Sequence, residues 1–114
     1  MLVMKEWWDE ALGGLVALRP DDTGMPFWIW CWCAPAEYVV QVVVTRARSL
    51  ADGEWSTIAV YPDLRLLDGE PLSGRDLDHL AHWLRWNGAV LARYWRQDVM
   101  FTEEFRRRLV RVIE

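Results

Sequence analysis

The sequence predicts an α+β fold: an antiparallel meander of three to four strands packed against C-terminal helices, with a short N-terminal helix ahead of the sheet. Three observations lead there. Between residues 27 and 67 the apolar positions are mostly aromatic or β-branched and fall in short alternating runs. From Leu77 to Trp95 the spacing lengthens to that of a helix. The chain has 114 residues, which makes one domain, residues 1–114. A chain of that length buries about two-thirds of its unfolded surface, so it needs no metal or disulfide staple to fold.

Met4, Trp7, Trp8, Ala11 and Leu12 recur at three and four, the spacing of a short amphipathic helix over 4–12, which Gly13-Gly14 ends. Leu15 to Arg19 reads as a brief strand, and Pro20-Asp21-Asp22-Thr23-Gly24 as a loop by its turn chemistry. Phe27 to Cys33 reads as a strand with Trp28, Trp30 and Trp32 on one face and Phe27, Ile29, Cys31 and Cys33 on the other. Ala34-Pro35-Ala36 breaks that run. Residues 37–47 form the clearest strand, with Tyr38, Val40, Val42 and Val44 on one face and Val39, Gln41, Val43 and Thr45 on the other. Leu50-Ala51-Asp52-Gly53 turns the chain and Trp55 to Tyr61 returns, so residues 37–61 make a hairpin. After Pro62-Asp63, Leu64 to Leu67 is a short fourth strand, closed by Asp68-Gly69.

Ser73 ahead of Gly74-Arg75-Asp76 is close to the Ser-x-x-acid form of a capping box, with Leu72 and Leu77 spaced as its staple. Leu77, Leu80, Leu84, Gly88, Leu91 and Trp95 form the stripe of a long helix, widened by Trp83, Trp86, Val90 and Tyr94. Gly inside a helix costs about 1 kcal/mol relative to Ala, so Asn87-Gly88 marks a kink or a close approach of the helix to its sheet. Thr102 opens a last helix. Glu103 and Glu104 suit its positive end, Arg108 and Arg111 its negative end, and Phe105, Leu109 and Val112 face inward.

Composition narrows the function classes. The net charge is −4, and it is divided: residues 1–79 hold 13 acids and 6 bases, residues 80–114 hold 4 acids and 7 bases. That acid excess argues against direct nucleic-acid binding. Glu6, Asp9 and Glu10 interrupt any signal-peptide run, and Pro26, Pro35, Glu37 and Gln41 break the most apolar window, 25–44, so no membrane span is expected. Two cysteines without a secretion signal read as reduced thiols of a cytoplasmic protein.

Four constellations carry candidate chemistry. Cys31-x-Cys33 and His79-x-x-His82 are zinc-type ligands, but their spacings fall outside or at the edge of the usual structural ones. Asp76, Asp78, His79 and His82 are the densest titratable cluster, yet acids in a first helical turn are ordinary dipole partners. No nucleophile motif or phosphate loop accompanies them, so no enzyme and no cofactor is expected. Arg93, Arg96, Arg107 and Arg111 offer an arginine face for a nucleic-acid-associated regulator. The fourth is the anomaly: nine tryptophans in so small a chain. Trp is enriched at interface hot spots, so surplus indoles point to a docking surface.

Leu72-Ser73, Leu77, Trp83-Leu84-x-x-Asn87, Leu91-x-x-Tyr94-Trp95 and Thr102-x-x-Phe105, with Pro26-Phe27-Trp28 and Gln41-Val42-Val43, resemble the pattern of a group of small bacterial and phage proteins of unknown function. The resemblance covers residues 26–109. It implies a compact cytoplasmic accessory protein, often carried on mobile elements, and carries over no catalytic residue.

The expected function is therefore non-enzymatic protein binding. Trp28, Trp30, Trp32, Trp83 and Trp86 would form the apolar contact, and Asp21, Asp22, Asp52, Glu54, Asp68 and Glu70 the acidic one. The partner would be a host complex or a second copy. An inhibitor of a bacterial defence complex, its acids in a basic nucleic-acid channel, is the concrete form. The alternatives are the arginine-face regulator and a zinc-supported domain using Cys31, Cys33, His79 and His82.

Overall fold

The computed structural model describes residues 15–46, 54–96 and 102–112. The predicted helix over 4–12, with Trp7 and Trp8, and the turn carrying Asp52 lie outside them. In chain order the elements are β1 (Val16–Leu18), α1 (Pro20–Thr23), β2 (Trp28–Cys31), β3 (Val40–Thr45), β4 (Trp55–Tyr61), β5 (Arg65–Gly69), α2 (Gly74–Trp95) and α3 (Thr102–Arg108). The sheet runs β1-β2-β3-β4-β5, and every neighbouring pair is antiparallel. The α+β meander with C-terminal helices is thus present, with five strands among the described residues instead of three or four. The brief β1 completes it, fixed by pairing Val16, Ala17 and Leu18 with Cys31, Trp30 and Ile29.

Residues 20–24, expected as a loop, contain one helical turn. Proline suits the first helical position, where no backbone donor is needed. The Asp22 carboxylate turns back to accept from the Arg19 backbone N–H at 3.0 Å. Gly24 ends the turn in the left-handed region (φ 85°), its N–H donating to the Pro20 carbonyl at 2.8 Å.

Strand register sorts the core. Leu18, Ile29, Val44 and Ser56 lie opposite one another across four strands, as do Ala17, Trp30, Val43 and Thr57 on the other face. β3 is central, and Val42, Val43, Val44 and Thr45 are buried in succession, so both faces of the sheet are covered there. One contiguous core joins Val16, Leu18, Ile29, Val42 and Ile58 of the sheet to Leu80, Trp83, Leu91 and Trp95 of α2 and Phe105 of α3.

α2 begins as its sequence predicts: Ser73 Oγ accepts from the Asp76 N–H at 3.1 Å. The Asp76 carboxylate pairs with Arg46 from the end of β3, which ties the helix start to the sheet. Gly88 is not a close approach of the helix to its sheet. The helix runs unbroken from Gly74 to Trp95, and a Cβ built on Gly88 meets nothing within 4 Å. Gly88→Ala is therefore expected to stabilise the protein by about 0.5–1 kcal/mol, read as a higher thermal midpoint by circular dichroism. An unchanged or lower midpoint would contradict it.

The meaning of this position lies in Asn87, which is fully buried. Its Nδ2 donates to the Trp83 carbonyl at 3.0 Å and to the Val110 carbonyl at 2.9 Å, and its Oδ1 accepts from the Val110 N–H at 2.6 Å. One side chain thus satisfies both backbone groups of Val110. Two residues later, the Val112 N–H donates to the Thr23 carbonyl at 2.9 Å. The segment after α3 is held against α1 and α2 through its backbone.

Candidate docking surface

The two edges of the sheet differ. At β1, Arg106 from α3 donates to the Ala17 carbonyl at 3.2 Å and lies 4.0 Å from the Asp22 carboxylate, which takes up one backbone acceptor of that edge. At β5 all five residues are exposed, and among the described residues no further strand pairs with it. β5 also carries a bulge: Asp68 lies opposite Thr57 and Leu66 opposite Ile58, which leaves Leu67 extra. Gly69 takes φ 89°, and a Cβ there would stand 2.2 Å from the Trp55 carbonyl oxygen, so only glycine lets β5 close on β4 at this end.

Large apolar side chains line the β5 edge. Leu64, Leu66 and Leu67 are 37–43% exposed. At the end of β4, Tyr61 meets Tyr38 edge to face at 6.0 Å, and Arg96 from the end of α2 stands over the Tyr61 ring at 5.3 Å. The hydrogen bond with the Tyr61 hydroxyl raises the Tyr38 pKa. Acids stand around the strip: Glu54, Asp63, Asp68 and Glu70 are all exposed, alongside the exposed bases Arg46, Arg65 and Arg96. Asp68 Oδ1 accepts from the Gly69 N–H at 2.9 Å. The Leu66 and Leu67 side chains and the outward backbone therefore present a strand-like surface of acidic character.

The tryptophans expected to form the contact are divided. Trp28 and Trp30 share a sheet face and stack at 5.9 Å, half-buried, with Trp30 Nε1 donating to Thr45 Oγ1 at 2.9 Å. Trp32 does not join them. Strand pairing ends at Cys31, the Ala34 N–H donates to the Trp95 carbonyl, and Trp32 turns inward onto the Trp95 ring at 5.3 Å. Trp83 is 0% exposed and belongs to the core, which removes it as a contact residue. Trp86 is 62% exposed. Of the acidic positions, Asp21 is exposed and Asp22 is tied to Arg19, whereas Glu54, Asp68 and Glu70 stand around β5. Tyr38, Tyr61, Leu64, Leu66 and Leu67, absent from the expected contact, are exposed large apolar side chains. Their signal was a leucine run closed by Asp68-Gly69 at what proves to be an edge.

The zinc set is not assembled. Cys31 is buried on the core face, His79 and His82 lie half-buried on α2, and among the described residues no three His, Cys, Asp or Glu side chains could hold a metal ion. Burial pushes the Cys31 thiol well above its ordinary range and the Tyr94 phenol up to about 12. Neither offers an ionised nucleophile near neutral pH. Arg93, Arg96, Arg107 and Arg111 are exposed, but Arg96 is engaged with Tyr61. A cavity of about 210 Å³ near the start of α2 is lined by Arg46, Glu54, Ser56, Glu70, Ser73 and Asp76 among others. Its buried carboxylate, Asp76, is already paired with Arg46. Among the described residues, no helix is long and apolar enough to cross a membrane.

Compared with protein-family models, with curated proteins and with solved structures, the chain matches none.

Proposed function

We propose that this protein is a binding module that takes an extended segment of a partner protein along the β5 edge, as an added antiparallel strand. One observation carries the reading: β5 is exposed at every residue and bears leucines, whereas at the opposite edge Arg106 caps the Ala17 carbonyl. Main-chain hydrogen bonds at an open edge supply affinity, and alternate side chains supply choice. The surrounding Glu54, Asp63, Asp68 and Glu70 favour a partner strand in which apolar residues alternate with Lys or Arg. The inhibitor reading is the version in which that basic partner belongs to a host defence complex.

The test uses the full chain, isotopically labelled, against an array of ten-residue peptides that vary in charge and alternation. Alternating apolar–basic peptides are expected to bind, with amide shifts concentrated on Arg65–Gly69 and affinity falling as salt rises. Leu67→Asp, at an exposed position, should weaken the best peptide roughly tenfold without moving the thermal midpoint. Shifts centred elsewhere, or no preference for alternation, would remove the proposal.

A further inference from the structure

A glycine after Asp or Asn opens a route to rearrangement, because its nitrogen, unhindered by a Cβ, can close on the carbonyl carbon of the preceding side chain. The sequence holds three such pairs: Asp52-Gly53, Asp68-Gly69 and Asn87-Gly88. The first lies outside the described residues. By sequence alone Asn87-Gly88 is the more labile of the other two, since a neutral carboxamide is attacked more readily than a carboxylate.

The fold reverses that order. Asn87 is fully buried within α2, and three hydrogen bonds, one to Trp83 and two to Val110, pin both ends of its carboxamide. Gly88 sits inside the same unbroken helix, where its nitrogen is held in the backbone ladder. Neither group can turn to meet the other unless the helix opens. Asp68 and Gly69, by contrast, are both exposed at the end of β5. Gly69 lies opposite Ser56, and the bond across to β4 is made by its neighbour, the Glu70 N–H donating to the Trp55 carbonyl at 3.0 Å. Backbone donors alternate in direction along a strand, so the Gly69 N–H is turned toward the open edge. There it donates to Asp68 Oδ1 at 2.9 Å. The nitrogen and the carboxyl of this pair already stand side by side in the folded chain.

We infer that Asp68 is a site of spontaneous isomerisation to isoaspartate in the folded protein, and that the fold shields Asn87 from deamidation. The Gly69 nitrogen bonds to Asp68 Cγ. The Cγ–OH bond of the carboxyl in its acid form breaks, and the hydroxyl leaves with the amide proton as water. The cyclic imide then takes up one water. When the ring opens between the Gly69 nitrogen and the Asp68 main-chain carbonyl carbon, the chain continues through Cβ and Cγ, and the former main-chain carbonyl becomes the free carboxylate. Nothing is oxidised or reduced, and the mass is unchanged. The product adds one carbon to the backbone of β5 at the residue opposite Thr57, which takes Gly69 out of its close fit against the Trp55 carbonyl. The site does not depend on what the β5 edge binds.

The test incubates the full chain folded and, in parallel, unfolded in urea, and then digests both with trypsin. Cleavage at arginine separates the pairs, with Asp68 in peptide 66–75 and Asn87 in peptide 86–93. Isoaspartate is read as a second peak of equal mass from 66–75 that an isoaspartyl methyltransferase labels, and deamidation as a gain in mass of 86–93. Isomerisation at Asp68 is expected to run in the folded chain within about threefold of its rate in urea, because the site is already open. Deamidation of Asn87 is expected to be slower in the folded chain by roughly tenfold or more, because it waits for the helix to open. Asp68→Glu, whose longer side chain would have to close a larger ring, should remove the labelled peak. Folding that protects Asp68 as strongly as Asn87 would overturn the inference, as would deamidation of Asn87 in the folded chain at the rate seen in urea.

Discussion

Gly24→Ala is expected to lower the unfolding free energy by about 4 kcal/mol, a large effect for adding one methyl group. The estimate has three parts. A non-glycine residue in the left-handed region costs about 1–2 kcal/mol. The added Cβ would stand 1.8 Å from the Val112 carbonyl oxygen and 2.8 Å from its carbon, and these are backbone atoms that cannot rotate aside. The segment after α3 must therefore move, which removes the Val112-to-Thr23 hydrogen bond, about 1 kcal/mol, and much of the burial of Val112, about 1.5–2 kcal/mol. Urea unfolding followed by circular dichroism would show the midpoint falling with little change in slope. The parts can be separated with Val112→Asp. A carboxylate cannot stay buried there unpaired, so that substitution is expected to release the segment after α3, and Gly24→Ala should then cost only the backbone component of about 1–2 kcal/mol. An equal loss in both backgrounds would mean that this segment does not press on the turn.

Trp83→Ala is expected to cost about 3–5 kcal/mol, and Trp86→Ala no more than about 0.5 kcal/mol. The two indoles are three residues apart on α2, yet one is 0% exposed and the other 62%. Trp83 sits in the core with Leu80, Leu91 and the sheet residues, so its removal leaves a cavity that rigid neighbours fill only in part. Its Nε1 has no hydrogen-bond partner among the described residues, so its contribution is the burial and packing of the ring. Trp86 loses little water on folding and returns little when removed. Thermal and urea unfolding of the two variants should differ widely. Similar losses from both would place Trp86 inside a contact that its exposure does not reveal.

The contrast explains which parts of the fold could be read in advance. The β3–β4 hairpin and the Ser73 cap were legible because each depends on a pattern within a few residues: alternation in the strands, and a hydroxyl three residues before an amide. The alternation of Trp28 and Trp30 was also legible, but its extension to Trp32 failed. That residue's direction is set by Ala34 bonding to Trp95, a partner far along the chain. The turn of α1 reads as a loop in the sequence because Pro, Asp and Gly punctuate loops as readily as they cap short helices. The sequence around Asn87 carries only the helix-breaking signal of Gly88, whereas the side chain of Asn87 holds Val110, 23 residues later.

The candidate surface divides the same way. The acid excess and the indole surplus were plain from composition, and Glu54, Asp68 and Glu70 do stand around β5. Of the expected apolar contact, Trp32 and Trp83 are buried while Trp86 is exposed, because an apolar stripe broader than one contact face does not say where burial stops. Local spacing alone determined the strands, the long helix and its start, since backbone periodicity is a property of neighbouring residues. Tertiary packing alone decided that Trp83 is inside and Trp86 outside, that β5 is the open edge, and that Gly24 and Asn87 hold the segment after α3. Exposure and edge position depend on which distant segments arrive, and no short-range pattern encodes that arrival.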